Sequence, residues 1–228
     1  MDLPIFQDNL RSSGGWAADL EKAAKNWHSA SSESRTRVKQ LQVDQANLRL
    51  SSNDMSDAGN HYRDAAQLVS DWAGQMGATL DLERLKGINS ALSGGSSGSA
   101  EFRLGEAPRL GSYHDPAPAV ILPRLVENAL DWFQTQSFSE IHAVEQAAIV
   151  LLRVNDLQPF ASLNDETALL AASFFTERSG LPPLILHANE AAMSEYNQVL
   201  EAAFRMLTQP LVEFLSSTLV KTIAQAQV

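Results

Sequence analysis

The sequence contains no cysteine, and this absence excludes disulfide bonds and thiolate metal sites. No run of apolar residues approaches the ~20 that a membrane-spanning helix needs. Residues 1–15 lack the basic start and the apolar run of a signal peptide. Basic residues are also few, because 17 Lys and Arg stand against 27 Asp and Glu and give a net charge of −10. We therefore expect a cytoplasmic protein that binds neither nucleic acid nor a membrane.

Two segments are apolar on nearly every side, and they flank a short polar loop. Residues 141–152 and 168–175 contain neither Gly nor Pro and are rich in helix-forming apolar residues. A helix that is apolar all round lies in the middle of a domain and not on its surface. The sequence therefore predicts two central helices that meet at a loop over residues 156–166. Loops held between rigid elements often carry functional residues.

The other apolar residues recur mostly at helical spacing, which predicts a mainly α fold. Residues 102–118 are interrupted by Gly and Pro and favour a small β-hairpin, here named the flap. We divide the chain into an N-terminal helical extension over residues 1–40 and a main domain over residues 41–228. Predicted helix starts include Thr79 and Asn189 as N-caps, and Ser137 with Glu140 as a capping box before the first central helix.

The central loop carries a recognisable motif, which reads QPFASLNDE over residues 158–166. It resembles the motif of the Fic (Fido) family, His-Pro-Phe-x-(Asp/Glu)-Gly-Asn-(Gly/Lys)-Arg. Pro159, Phe160 and Asn164 match that pattern. The family's histidine, acid, first glycine, Gly/Lys and arginine positions hold Gln158, Ser162, Leu163, Asp165 and Glu166.

Segments on both sides of the motif extend the resemblance over roughly residues 40 to 220. Residues 100–103 are similar to the family's Gly-x-(Phe/Tyr)-Arg entry to its hairpin flap. The other similar segments, in their family order, are the Pro-rich flap exit and following helix at 116–133, the helix stop at 179–183, and two C-terminal helices at 194–196 and 210–214. The resemblance implies a Fic-like helical bundle with one small β-hairpin flap.

Members of the Fic family transfer a nucleotide monophosphate, usually AMP from ATP, onto a hydroxyl group of a target protein. The resemblance places Gln158 where the family has its catalytic histidine, and an amide has no usable proton-accepting pKa. Ser162 stands at the family acid that holds Mg²⁺, and a neutral hydroxyl is a poor ligand for that hard cation. Asn164, Asp165 and Glu166 fall at the nucleotide-binding segment, where two carboxylates would repel phosphate.

These replacements predict a degenerate motif without competent adenylyl transfer, and we expect no metal site and no cofactor. Mg-ATP is the cofactor expected if the protein is active. Three hypotheses stay open. The first is a binding or regulatory module that holds a protein partner or target segment, with residues 102–113 of the flap as its surface. The second is an active AMP transferase with non-standard residues. The third is an unrelated all-α interaction protein.

Overall fold

The computed structural model describes residues 15–50, 57–95, 100–107, 109–110 and 114–227. Within these ranges the helical periodicity becomes ten α-helices and one 3-10 turn at Ala119–Ile121, and the predicted mainly α fold is confirmed. The helices are α1 (Gly15–His28), α2 (Ser32–Leu50), α3 (Ala58–Ala73), α4 (Leu82–Leu92), α5 (Leu122–Phe133), α6 (Gln136–Ser139), α7 (Ala143–Leu157), α8 (Asn164–Arg178), α9 (Glu190–Phe204) and α10 (Gln209–Ala226).

Helices α7 and α8 form the centre of the fold, as their apolar sequences predict. Nearly every side chain of α7 is buried, as is every side chain of α8 from position 167 to 176, and the two helices pack against each other. Aromatic rings extend this core toward α5 and α6, with ring centroids 5.1 Å apart for Phe133 and Phe138 and 5.5 Å apart for Phe138 and Phe175. Burial of such rings is a main source of stability in a core. The two central helices therefore fix the loop between them.

The predicted starts of two helices are wrong. Helix α4 is capped by Asp81, whose carboxylate accepts the Arg84 backbone N–H at 2.8 Å, and not by Thr79. Helix α7 begins after His142, which forms a capping box with Glu145. The predicted pair, Ser137 and Glu140, lies in and after the short helix α6, which Thr135 caps. The spacing of residues alone did not distinguish between these neighbouring helix starts. Asn189 caps α9 as predicted, since its side chain accepts the Ala192 N–H.

The cap at His142 gives the stability of this protein a predictable pH dependence. His142 Nδ1 accepts the Val144 backbone N–H at 3.2 Å, so the cap requires a neutral imidazole. Burial lowers the pKa of His142 below its ordinary 6.5, and the Glu145 and Glu21 carboxylates act in the opposite direction. A depressed pKa means that the stabilisation is complete above pH 6.5 and is lost as the pH falls through the folded-state pKa.

We expect this loss to lower the free energy of unfolding by about 1 kcal/mol, the usual value of an N-cap. Urea denaturation of the parent protein and of His142→Asn at pH 7.5 and pH 5 would measure it. Because asparagine caps a helix without titrating, the variant should lack this part of the pH dependence. Identical pH profiles for the two proteins would contradict the prediction.

The N-terminal helices are packed into the fold. Helix α1 lies against α10, and α2 lies against α3 and α10. Arg49 Nη1 donates to the Leu186 carbonyl at 2.5 Å, and Gln45 Oε1 accepts the Ala188 N–H at 2.8 Å. These two bonds hold the end of α2 to the extended segment between α8 and α9. Helix α2 runs through the predicted boundary between residues 40 and 41, and the proposed division into an extension and a main domain stays a prediction.

The described residues of the flap contain little regular β-structure. Among its described residues, pairing is limited to two isolated antiparallel bridges, Leu110 with His114 and Phe102 with Phe160. The first bridge is made by the Leu110 N–H, which donates to the His114 carbonyl at 3.0 Å. The second bridge joins the flap to the motif loop. Residues 108 and 111–113 of the predicted flap lie outside the described residues.

Candidate functional site

The motif loop connects the end of α7 to the start of α8 through two residues with left-handed backbone conformations. Gln158 caps the C-terminus of α7 at φ 41°, and Leu163 precedes α8 at φ 59°. Left-handed geometry costs a residue with a side chain roughly 1–2 kcal/mol relative to a right-handed one. Leu163 occupies the position where the family motif has glycine, so the loop keeps a backbone conformation suited to glycine without having one. The surrounding contacts must therefore hold it.

The Asn164 side chain closes the loop. Its Oδ1 accepts the Phe160 N–H at 2.9 Å, and its Nδ2 donates to the Phe160 carbonyl at 2.8 Å. Both polar atoms of the amide are used in bonds to one backbone residue. Asn164 was predicted to bind nucleotide, and that role stays a prediction. The structure gives Asn164 a bond pair that fixes the shape of the loop.

Asn89 of α4 supports the same loop from behind. Its Nδ2 donates to the Ser162 carbonyl at 3.0 Å and lies 3.1 Å from Thr167 Oγ1. Thr167 Oγ1 in turn donates to the Leu163 carbonyl at 2.7 Å. Asn89 is only 1% exposed, so these bonds form where water cannot replace them. The Ser162 residue itself is exposed, and its backbone carbonyl is the part that holds the loop in place.

Arg103 connects the flap to the end of α7. Its backbone N–H donates to the Pro159 carbonyl at 2.9 Å, and Nε donates to the Gln158 carbonyl at 2.7 Å. The guanidinium also donates to the carbonyls of Leu157, Gly105 and Ala117. Arg103 is 7% exposed, and burial lowers its pKa. A cation at a helix C-terminus is favourable because the last carbonyls carry partial negative charge.

His114 connects the C-terminal part of the flap to the end of α7. His114 Nε2 lies 2.9 Å from Asp156 Oδ1, and Asp156 also forms an ion pair with Arg153. The His114 ring stacks on Phe204 of α9, with centroids 4.1 Å apart. His114 thus joins the flap to α7 and α9 together. With Arg103, it places both ends of the described flap segment beside the motif loop.

Two carboxylates occupy the first turn of α8. Asp165 is exposed and Glu166 is half-buried. The protein around each group removes water and raises both pKa values, and the Asp165 charge raises the pKa of Glu166 further. Arg49 lowers both pKa values, and an interaction with its own backbone N–H lowers that of Glu166. The N–H groups of a helix N-terminus are a favourable anion site. Here a carboxylate of the chain itself lies at that site.

The charge of Glu166 also acts on two buried tyrosines, Tyr62 and Tyr196. Burial raises the pKa of Tyr62 and Tyr196, and the Glu166 charge raises both further. Arg49 acts in the opposite direction on both phenols. The positive charge of Arg49 in α2 therefore acts on the acidic turn of α8 and on both phenols.

The structure brings the predicted site residues together, since all lie between the end of α7 and the first turn of α8. Gln158 is only 5% exposed, and its carbonyl accepts from Arg103. Among the described residues, no group of three or more His, Cys, Asp or Glu is placed to hold a metal ion. No helix in the same ranges is long and apolar enough to cross a membrane.

Sequence reasoning did not find the supporting roles of Arg103, Asn89 and Arg49. The resemblance to the family included Arg103, but it did not predict the bonds that Arg103 forms. Asn89 and Arg49 act across 73 and 137 positions of the chain, in the bonds to Ser162 and Leu186. A single polar residue on a helix gives no local sign of such distant partners. These contacts became visible only from the packing of the helices.

This fold, a motif loop between two buried helices with a short flap beside it, is that of Fic-domain proteins. The Fic-1 protein of Caenorhabditis elegans has the same fold with a TM-score of 0.78 and 16% identity, over 95% of this chain and 72% of that one. IbpAFic2, in a crystal structure where it is covalently tethered to Cdc42, matches 90% of this chain and 70% of its own with a TM-score of 0.61 and 13% identity.

The sequence comparison supports the same family. Residues 79–176 match the model of the Fic/DOC family. The predicted resemblance is therefore confirmed. The protein adenylyltransferase Fic of Drosophila willistoni is 28% identical over 123 residues, which are 54% of this chain and 24% of the relative. The match therefore covers about a quarter of that relative's length.

Proposed function

We propose that this protein is a Fic-fold binding or regulatory module with a degenerate motif, which does not perform competent adenylyl transfer. The observation that carries the proposal is the occupation of the α8 N-terminus by the chain's own acids. Asp165 and Glu166 both lie in the first turn of α8. A phosphate that approached this turn would meet two carboxylates where a binding site needs free N–H donors.

The remaining chemistry of the loop supports the same proposal. A general base typically contributes ~10²–10⁴ in rate, and the Gln158 amide cannot accept a proton at neutral pH. Ser162 offers no carboxylate for Mg²⁺, which is usually held by carboxylates and substrate phosphates. Asn164 already uses both polar atoms of its side chain on Phe160. We expect neither a metal nor a nucleotide to be needed for the function.

The flap is the surface that we assign to a protein partner in a cytoplasmic setting. Leu104, near the start of the flap, is 98% exposed, and Val120, in the 3-10 turn that follows the flap, is 87% exposed. An extended segment of a partner can add to such a flap through backbone bonds, which require no catalytic side chain. Arg103 and His114 hold the flap in place for this purpose. The tethering of IbpAFic2 to Cdc42 shows a protein contact for that neighbour.

An active transferase is the second candidate, and one observation favours it. The loop retains Pro159, Phe160 and Asn164 of the family motif, and the relative from Drosophila willistoni is named a protein adenylyltransferase. If this candidate is correct, Mg-ATP is the cofactor and a protein hydroxyl is the acceptor.

A calorimetric titration with Mg-ATP, followed by an assay for transfer of labelled AMP, separates the two candidates. We expect affinity no better than ~1 mM, or about −4 kcal/mol, which is too weak for a dedicated site. We also expect no label on this protein or on added proteins. Micromolar binding together with label transfer would contradict the proposed function and establish the second candidate.

A further inference from the structure

Helices α2 and α3 enclose a groove that the proposed function does not use. The two helices approach closely at Gly59, where a Cβ atom would lie 1.7 Å from Asn47 Oδ1. Toward the start of α2 they separate, and two cavities follow each other there. The first has a volume of about 160 Å³ and the second about 390 Å³, and Thr36, Lys39 and Ser70 line both. We name this continuous trough the α2 groove.

Three cations line the α2 groove, and each is held by a neutral acceptor. Arg35 Nη2 donates to the Trp27 carbonyl at 3.2 Å, and its guanidinium lies over the Trp27 ring, 4.9 Å from the centroid. Lys39 Nζ donates to Gln67 Oε1 at 3.2 Å. Arg63 Nη1 donates to Asn60 Oδ1 at 2.8 Å. None of the three forms an ion pair with a carboxylate in the part of the chain that the structure describes.

Glu177 is the carboxyl group among the residues that line the two cavities, and it offsets little of the positive charge of the three cations. Glu177 Oε2 accepts the Ser70 hydroxyl at 2.6 Å. Burial raises the pKa of Glu177 to about 7, although the Ser70 bond and the Lys39 charge act in the opposite direction. Glu177 is therefore largely neutral below pH 7. Other titratable groups lie close to the groove. Asp71 accepts from Gln67 Nε2 at 2.6 Å, and His28 lies beside Gly180 at the same end, while Arg178 donates to the Ala78 carbonyl.

The shape of the groove fits an extended chain. It follows α2 from Ser32 to Val43, which corresponds to about 17 Å along a helix axis. That length accommodates roughly five residues of an extended polypeptide. At one end, the Trp27, Leu181 and Pro183 side chains form an apolar wall. The cations Arg35 and Lys39 lie one helical turn apart along the trough.

The charge of the whole chain narrows the choice of partner. With a net charge of −10, the protein repels acidic partners over most of its surface. The α2 groove differs from that surface, because three cations line it and none of them forms an ion pair with a carboxylate among the described residues. Three cations are too few for nucleic acid, whose binding requires contacts to many phosphates. We infer that the α2 groove binds an acidic, extended polypeptide segment of a partner protein.

This site is separate from the motif loop. Glu177 lies at the C-terminal end of α8, about 20 Å along the helix from Asn164 at its start. Binding in the groove therefore requires neither nucleotide nor the flap. If the protein were found to transfer AMP, the inference about the α2 groove would be unaffected. If no peptide bound in the groove, the proposed function would be unaffected.

Fluorescence anisotropy of a labelled hexaglutamate peptide tests the inference. We expect saturable binding to the parent protein, and at least ~10-fold weaker binding to Lys39→Gln/Arg63→Gln, since both cations face the groove. The matched control is Lys22→Gln/Arg37→Gln, which removes the same charge from exposed positions of α1 and α2 outside the groove. Its affinity should stay within about twofold of the parent value.

Glu177→Gln provides a second readout. We expect tighter peptide binding than in the parent protein at pH 8, where Glu177 is ionised, and equal binding at pH 6. Circular dichroism would verify that every variant is folded.

Three outcomes would overturn the inference. Hexaglutamine could bind as well as hexaglutamate, or the control pair could lose as much affinity as the groove pair. Inorganic phosphate at equal charge could also displace the peptide fully, which would indicate a small-anion site.

Discussion

Replacing Arg103 with alanine should lower the free energy of unfolding by about 3 kcal/mol. The guanidinium donates to the carbonyls of Leu157 and Gln158 at the end of α7 and to the carbonyl of Ala117 in the flap, so one side chain joins the flap to α7. Removal leaves these buried acceptors without their donor, and an unsatisfied buried polar group costs ~1–3 kcal/mol. The loss also removes a cation from the C-terminus of α7, where it offsets the partial charge of the last carbonyls.

Urea denaturation would measure the loss, and hydrogen exchange would locate it. The backbone amide of Arg103 donates to Pro159, so its exchange should become faster as the flap separates from the motif loop. Arg103→Lys should fall between the parent and Arg103→Ala, because an ammonium keeps the charge but lacks the planar set of donors. Arg124→Ala, at an exposed position of α5, should change stability by less than about 0.5 kcal/mol. Equal effects of Arg103→Ala and Arg124→Ala would show that the flap is held by other contacts.

The central part of this fold could be predicted from the sequence because its signal is local. Residues 141–152 and 168–175 are apolar on every face, and only a helix surrounded by protein can bury such a surface. The end of α8 was equally clear, since Gly180 and Pro182 follow its last turn. The errors occurred where neighbouring residues offered competing caps. Thr79 and Asp81 both suit an N-cap, and packing of the preceding residues decides between them.

The candidate site could be predicted in position but not in mechanism. The loop, its acidic turn and the flap were all found from residue types, because the motif and the Gly and Pro residues mark them. The bonds from Asn89 and Arg103 to the loop could not be found, because they join residues far apart in the chain. Asn89 reaches Ser162, and Arg103 reaches Gln158, only after the helices have packed. The side-chain contacts of Arg103 and His114 that hold the flap could not be found for the same reason.

The acidic turn of α8 leads to the second large expected effect, which rests on the proposed function. Asp165→Asn/Glu166→Gln should increase the affinity for Mg-ATP by at least ~30-fold, or about 2 kcal/mol. A phosphate charge at ~5 Å is repelled by each carboxylate by ~3 kcal/mol at an effective dielectric constant of 20. Asp165 is exposed and Arg49 offsets part of the field, so the observed gain should be smaller than this sum.

Calorimetry under the same conditions as for the parent protein would measure this gain. Glu190→Gln is the matched control, because it removes a carboxylate from the first turn of α9, away from the motif loop. It should leave the affinity unchanged. The double variant should still transfer no labelled AMP, since Gln158 continues to stand where a proton acceptor is needed. Binding without transfer would show that the acids block the anion site while the amide prevents the chemistry. If the double variant binds no better than the parent, the carboxylates are not the barrier, and the closed loop held by Asn164 and Asn89 would be the reason that nucleotide is excluded.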